Sequence, residues 1–302
     1  VDTHPKMTGN WRRVSRRHPC PICGHDSWCT VSPDGKTARC MRIASDRPSP
    51  GRDGSVGYLH RLDGPAGRGE YVAPPPAKRS IERGPADVVR LVSRWLRDTR
   101  RADLEAFASR LGVVVASLER LGTAWAPPHR AWAFPMFDGS RRPIGVRLRG
   151  TDGGKFCVRG THNGLFWPRD LHTDTNEPLL LPEGPTDTAA LLTLGYDAIG
   201  RPSCNGGAPF VVEAVRRLHR SEIVIVADAD PPKRTPDGRT IRPGPDGARA
   251  LAADLTAAGH RPRIIAPLAG KDVRDWVWAG ATRDDIDRAI AQARYWRGRR
   301  AS

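Results

Sequence analysis

The sequence predicts an α/β chain built from a small β module, a linker, and a strand-rich subdomain packed on a mainly parallel sheet. Three observations carry that prediction. Four of the six cysteines lie within residues 20–40. Residues 63–84 hold Gly, a Pro triplet and scattered charges with no apolar period, which reads as a semi-stiff linker. From residue 178 onward, apolar runs alternate with amphipathic stretches, the pattern of strands and helices in a covered parallel sheet. The expected parts are 1–62 (cysteine-bearing module), 63–84 (linker), 85–175 (helical and strand-rich), 176–281 (parallel α/β) and 282–302 (terminal helix and basic tail).

The 302 residues carry 49 Lys and Arg against 33 Asp and Glu, a formal charge of +16. Such an excess points to a polyanionic partner. Residues 1–100 hold 19 basic and 10 acidic residues, so the front third is the more densely charged. Only six of the 49 are Lys, and abundant Arg, Ala, Gly and Pro are also what GC-rich coding produces. No stretch approaches the roughly 20 apolar residues of a membrane span. The opening VDTHPKMTGNWRR lacks an apolar export core. A cytoplasmic protein with no membrane partner is expected.

In HPCPICGHDSWCTVSPDGKTARCMR, Cys20 and Cys23 have the C-x2-C spacing that turns two thiolates toward one metal. No second C-x2-C exists, because Ile43 stands where a partner for Cys40 would be. Hairpin geometry supplies the other pair. Asp34-Gly35 is a strong two-residue turn, which sets Cys29 opposite Cys40. Zn–S bonds of about 2.3 Å need sulfurs under about 4 Å apart, and a cross-strand pair can supply that. A structural zinc on Cys20, Cys23, Cys29 and Cys40 is expected, with His18 and His25 as rivals for one place. YLHRL (58–62) would complete the small sheet.

Residues 85–120 follow a helical rhythm, with Val88, Val89, Leu91, Val92, Trp95 and Leu96, then Leu104, Phe107 and Leu111. Short strands follow at AWAFPMFDG, IGVRLRG, KFCVRG and GLFWP within 131–168. The aromatics Trp132, Phe134 and Phe166 are read as core. In the parallel part, strands are expected at 178–182, 197–200, 223–228 and 263–267. Helices are expected near 185–194, 208–218 and 246–258, and a last one over 282–297.

Strand PLLLP runs into Glu183-Gly184-Pro185-Thr186-Asp187, with Pro185 suited to a first helical turn. Strand IVIVA ends in Asp228-Ala229-Asp230, whose alternation sends both aspartates to one side. Ligands of open α/β sheets bind at the carboxyl ends of strands. Carboxylates converging there need a counter-charge, and Mg2+ or Mn2+, hard ions preferring oxygen, would supply it on Glu183, Asp228 and Asp230. Gly270-Lys271-Asp272-Val273-Arg274-Asp275 follows strand RIIAP at the same edge.

An EGxxD stretch followed by an apolar strand ending in DxD resembles the Toprim domain. With the preceding cysteine module, the chain resembles the bacterial and phage DNA primases, most of all phage and mobile-element forms. The resemblance covers 18–62, the core near 119–275, and their order. It implies a nucleotidyltransferase that makes short RNA primers on single-stranded DNA from nucleoside triphosphates by two-metal transfer. Glu183, Asp187, Asp228 and Asp230 would be its catalytic acids, joined by Asp272 and Lys155, with the zinc ribbon engaging template. FPMFDGSRRPIGVRLRGTDGGKFCVRG resembles the strand-rich half of the primase core. There Arg147, Arg149 and Lys155, with Lys271, are candidates for nucleotide or DNA contacts.

Two departures stand out: the missing second C-x2-C, and a long 231–245 (PPKRTPDGRTIRPGP) that leaves Asp237 and Asp246 without an assigned role. The chain contains no G-x4-GK[ST] loop, so unwinding would fall to a separate replicative helicase. Two other readings compete: a Toprim-type metal-dependent nuclease using the same acids, and a non-catalytic zinc-ribbon DNA-binding protein whose acids cap helices.

Overall fold

The structure is a computed structural model, and it describes residues 11–50, 56–63, 87–151, 153–171, 173, 175–234 and 239–297. The expected linker beyond residue 63, Asp237 and the last five residues of the basic tail lie outside the described residues. Internal packing divides the chain into two units: Val1–Glu82 with Lys233–Ile241, and Arg83–Pro232 with Arg242–Ser302.

The first unit is an antiparallel sheet of β1 (Arg12–Arg13), β2 (Thr30–Val31), β3 (Thr37–Cys40), β4 (Pro48–Pro50) and β5 (Val56–Arg61), in the order β1-β2-β3-β5-β4. Its core is small: Val14, Val31, Ala38 and Ile43 pack with Cys20, Cys29 and Cys40. The β2–β3 register is Thr30↔Arg39 and Val31↔Ala38. One step further along the hairpin, that register sets Cys29 opposite Cys40, as the sequence predicts. The turn itself differs from the expected two residues. Ser32 N donates to Thr37 O, and Gly35 N donates to Ser32 O. The connection is therefore four residues long, with Gly35 at φ 72 and the Asp34 carboxylate accepting from Lys36 N. The loop grew by a residue on each side, so the register survived. The expected YLHRL strand is β5, which pairs Tyr58 with Cys40 and His60 with Ala38.

The second unit opens with α1 (Val88–Asp98), α2 (Arg101–Leu111) and α3 (Val115–Arg120). Asp87 caps α1 by accepting from Arg90 N. An antiparallel meander follows: β6 (Ala124–Ala126), β7 (Ala131–Phe137), β8 (Pro143–Gly150) and β9 (Lys155–Cys157). Side-chain size sorts its two faces, because alternate residues of a strand point opposite ways. Ala131 and Ala133 of β7, with Val146 and Leu148 of β8, pack under α1. Trp132, Phe134 and Met136 point the other way into the large core. GLFWP forms no full strand. Leu165 bridges to Phe137 and Phe166 bridges to Gly200, so this segment links the meander to the next sheet.

That sheet is wholly parallel, with β10 (Leu179–Leu181), β11 (Asp197–Ala198), β12 (Ile223–Val226) and β15 (Arg263–Ile265) in the order β11-β10-β12-β15. Helix α4 (Gly184–Thr193) follows β10, α5 (Ala208–Leu218) follows β11 and α6 (Pro243–Ala257) precedes β15. Between β12 and α6 the long insertion forms the short hairpin β13 (Lys233–Arg234) with β14 (Thr240–Ile241). It packs with the first unit, where Arg239 donates to Ala44 O. Helices α7 (Val273–Trp278) and α8 (Arg283–Gln292) end the unit, α8 with a Thr282/Asp285 capping box.

Leu180, Val224 and Val226 bury into one layer, while Leu179, Leu181, Ile223 and Ile225 bury into the other. Both faces are covered, which explains the unbroken LLL and IVIV runs. Each such side chain contributes about 1.5–3 kcal/mol when fully buried. No helix among the described residues is long and apolar enough to cross a membrane.

Candidate functional site

Each unit carries one chemically distinctive cluster. In the first, Cys20 and Cys23 flank a tight turn in which Gly24, at φ 70, donates to Cys20 O over 2.8 Å. Cys29 and Cys40 complete the group, and all four sulfurs lie within 4.8 Å of one another. The Cys23–Cys29 and Cys29–Cys40 separations are 3.7 and 3.9 Å. The sulfurs of a tetrahedral zinc site with 2.3 Å bonds stand about 3.8 Å apart, so the set fits zinc with little adjustment. Backbone N–H groups of Arg42 and Ile43 point at the Cys40 sulfur, and Met41 N at that of Cys29. The Arg42 guanidinium also reaches Cys29 at 3.7 Å. Such donors suit thiolates. His18 and His25 are not in the cluster. Four thiolates leave no open position, so a zinc here is structural.

In the second unit the acids gather at the carboxyl rim of the parallel sheet. Glu183 leaves β10 and immediately precedes α4. Gly184 makes that turn possible at φ 78, a conformation costly for any other residue. Its partner Gly200 has no room for a side chain, since a Cβ would collide with Thr188 Oγ1 and with Gly184 O. This close approach draws the end of β11 against the start of α4. Asp187 follows one helical turn later, buried, and accepts from Arg274 N at 3.2 Å. Asp228 and Asp230 leave β12. Ala229 N donates to Lys271 O at 2.7 Å, which fastens the loop before α7 to the DxD segment. Asp272 caps α7 by accepting from Asp275 N.

These acids feel one another. Burial, then Glu183, Asp272 and Asp230, push Asp228 up to about 7. Burial, then Asp272 and Asp228, raise Asp187 well above the usual carboxylate range. Glu183 is raised by burial, with Arg201 opposing and Asp230 adding to the rise. A rim that holds protons this firmly is one that a divalent cation would relieve. The donors are hard carboxylate oxygens, the set that Mg2+ and Mn2+ prefer, so the donor type suits such an ion. Among the described residues, however, it is the four sulfurs that all lie within 4.8 Å of one another, and no three of these acids come that close together.

Fixed cations surround the acids. Lys271 lies 3.3 Å from Asp230. Arg149 on β8 is half-buried beside Asp187 and Asp272, and burial and then Arg274 lower its pKa. Its register partner on β9 is Lys155, exposed but lowered by desolvation and then by Arg149. Arg147 shares the face of Arg149 but is turned inside, donating to Asn163 Oδ1 at 3.0 Å and Pro202 O at 3.4 Å. It is placed to brace the meander against the loop after β11, which leaves Arg149 and Lys155 as the meander's cations that feel the acids. Asp246 lies in the first turn of α6, paired with Arg249 and accepting from Arg242 N.

Two rim residues escaped the sequence reading. Arg274 contributes its backbone N–H to Asp187 and its guanidinium to Asp275. Arg201 is buried against Glu183. The available signal for Arg201 was a single charge inside the run AIGRPSC at a strand's carboxyl end.

No family model matches the chain, and no curated protein matches it. Solved structures do. The DnaG primase catalytic domain bound to single-stranded DNA superposes with a TM-score of 0.53 at 15% identity, over 69% of this chain and 79% of that one. The Aquifex aeolicus primase (zinc-binding and RNA polymerase domains) gives 0.53 at 13%, over 69% and 60%. A DNA primase domain from Pseudomonas aeruginosa gives 0.50 at 16%, over 69% and 79%. The chain therefore has the fold of a bacterial primase catalytic core.

Proposed function

We propose that this chain is a DNA primase that joins ribonucleotides into short primers on a single-stranded DNA template. The observation that carries the reading is the convergence of Glu183, Asp187, Asp228, Asp230 and Asp272 at one sheet rim, faced by Arg149, Lys155 and Lys271. That pairing of acids and cations suits a Toprim-type centre whose substrates bring triphosphates. Magnesium or manganese on Glu183, Asp228 and Asp230 would activate the attacking 3′-hydroxyl and neutralise the departing pyrophosphate.

The chain's own residues do the rest. Arg149 and Lys155 attract and orient the nucleotide phosphates, as guanidinium and ammonium groups do. Lys271 partly neutralises Asp230 while keeping it at the rim. Asp187 is tied to Arg274 N and sets the position of the α7 loop relative to α4. The zinc ribbon engages template through its basic strands, which carry Arg12, Arg13, Arg39 and Arg61. The nucleoside triphosphates, the single-stranded template and a separate helicase are the partners this reading requires.

The test is incubation of the protein with a short template, ribonucleotides and Mg2+. New oligomers carrying labelled ribonucleotide support the reading. A shortened template with no new product assigns the rim to a nuclease and overturns it. The primase reading falls equally if neither product forms while DNA still binds, the outcome expected of a non-catalytic ribbon protein.

A further inference from the structure

Two arginines are fully buried in ion pairs around the parallel sheet, and they sit at opposite ends of it. Arg220 lies at the amino end, before β12, where it meets Asp197 at the start of β11 and the carbonyl of Glu177. That pair joins two strand beginnings and touches no part of the acidic rim. Arg201 lies at the carboxyl end. Its backbone prolongs the β10–β11 ladder beyond the strands proper: Arg201 N donates to Pro182 O at 2.9 Å and Gly184 N donates to Arg201 O at 2.7 Å. Glu183 and Arg201 form a parallel bridge.

The Arg201 side chain is 1% exposed. Nη1 donates to Cys204 O at 3.0 Å, and Nη2 stands 3.4 Å from Glu183 Oε1. Nε is buried without a partner. A guanidinium is expensive to bury unless an anion meets it. Among the described residues, the carboxylate within ion-pair range of Arg201 is Glu183. Helix packing alone would not call for a cation here, because Ile199 and Pro202 close by in the chain, and Phe166 bridged to Gly200, are apolar and buried.

We propose that Arg201 is the positioning residue for Glu183, holding one carboxylate oxygen from beneath so that the other is presented to a divalent cation. The pair occupies Oε1 and leaves Oε2 as the ligand atom. The rigid fork fixed by the Cys204 carbonyl gives the carboxylate one orientation before any ion arrives, which is the preorganisation that support of a metal ligand supplies. Lys could replace the charge but not the two-point hold. This inference rests on the reading of Glu183 as a metal ligand, and it adds to that reading what determines the affinity.

The experiment is Mn2+ binding by the zinc-loaded full chain without nucleotide or DNA, followed by electron paramagnetic resonance of free Mn2+. Wild type is compared with Arg201→Met, Arg201→Lys, Glu183→Gln, the Glu183→Gln/Arg201→Met double variant, and Arg220→Met as a control. Arg201→Met should weaken binding about tenfold and Arg201→Lys severalfold, the scale of lost support behind a metal ligand. In the Glu183→Gln background, Arg201→Met should add nothing. Arg220→Met should lower the melting temperature and leave Mn2+ affinity as it was.

Equal affinity in wild type and a folded Arg201→Met, or full additivity with Glu183→Gln, overturns the proposal and leaves the proposed activity standing. If Arg201→Met does not fold, Arg201→Lys decides by the same criterion. Weakened Mn2+ binding in a protein that makes no primers supports Arg201's role and overturns the primase reading. No Mn2+ binding by wild type overturns both.

Discussion

The two clusters solve the same electrostatic problem in opposite ways. In the ribbon, four thiols lie within 4.8 Å, three of them buried and Cys23 partly exposed, with backbone N–H donors on Cys29 and Cys40. At the sheet rim, burial and then the repulsion of neighbouring carboxylates lift Asp228 to about 7, with Lys271 3.3 Å from Asp230. The thiol site is complete with one soft ion and has nothing left to do chemically. The carboxylate site is incomplete by the nature of its donors: it retains protons, faces Arg149 and Lys155, and gains most from an ion that also binds phosphate. Closure suits one site to a structural role, and openness suits the other to the reaction proposed for it.

The sharpest way to break this contrast is to remove one acid. Asp228→Ala should lower primer synthesis at least about a hundredfold, the upper scale for damage to a metal ligand's support, with DNA affinity retained in a filter-binding assay. Cys29→Ser should do the reverse. Zinc content measured by mass spectrometry should fall from about one per chain to well below it, and the first unit should lose protection from proteases. The second unit should melt as before, since its core shares no residue with the ribbon's.

The cations give a smaller effect. Arg149→Ala and Lys155→Ala should each raise the nucleotide KM about tenfold, as expected for loss of one charge-assisted hydrogen bond. Arg147→Met should lower the melting temperature and leave KM near wild type. The smallest effect is with pH. Asp228 holds its proton to about 7 when folded, whereas an ordinary aspartate releases it near 3.8. The folded state therefore binds the extra proton between those values, and its stability without divalent ions falls as pH rises from about 4 to about 7. Mn2+ should cancel that slope, and Mn2+ affinity should rise over the same interval. A flat metal-free profile in calorimetric melts would remove the crowding of carboxylates from the account.

Much of this was readable before any coordinates. Cys29 opposite Cys40 follows from counting across Asp34-Gly35, and it holds although the turn is longer, because the extra residues entered symmetrically. The EGxxD and DxD acids were placed by the rule that parallel strands end at a shared rim. What could not be read was fixed by contacts distant in sequence. GLFWP has strand composition but serves as two bridges, because its partners Phe137 and Gly200 belong to different sheets. Helix α7 is six residues long, with charges on both sides of its first residue Val273, so its period is too short to register. PPKRTPDGRTIRPGP reads as loop, yet four of its residues pair as β13 and β14. Arg147 and Arg149 look alike on one strand face, and only the packing of Asn163 and Pro202 separates a brace from a candidate phosphate contact. Arg201 was hidden for the same reason: its anion lies 18 residues earlier and meets it through the sheet.

The most direct measurement is anomalous diffraction at the manganese edge from crystals of the zinc-loaded chain soaked in Mn2+. The account predicts a manganese peak coordinated by Glu183, Asp228 and Asp230, with zinc alone in the thiol cluster. Manganese absent from the rim, or bound only at surface acids such as Asp246, would contradict it.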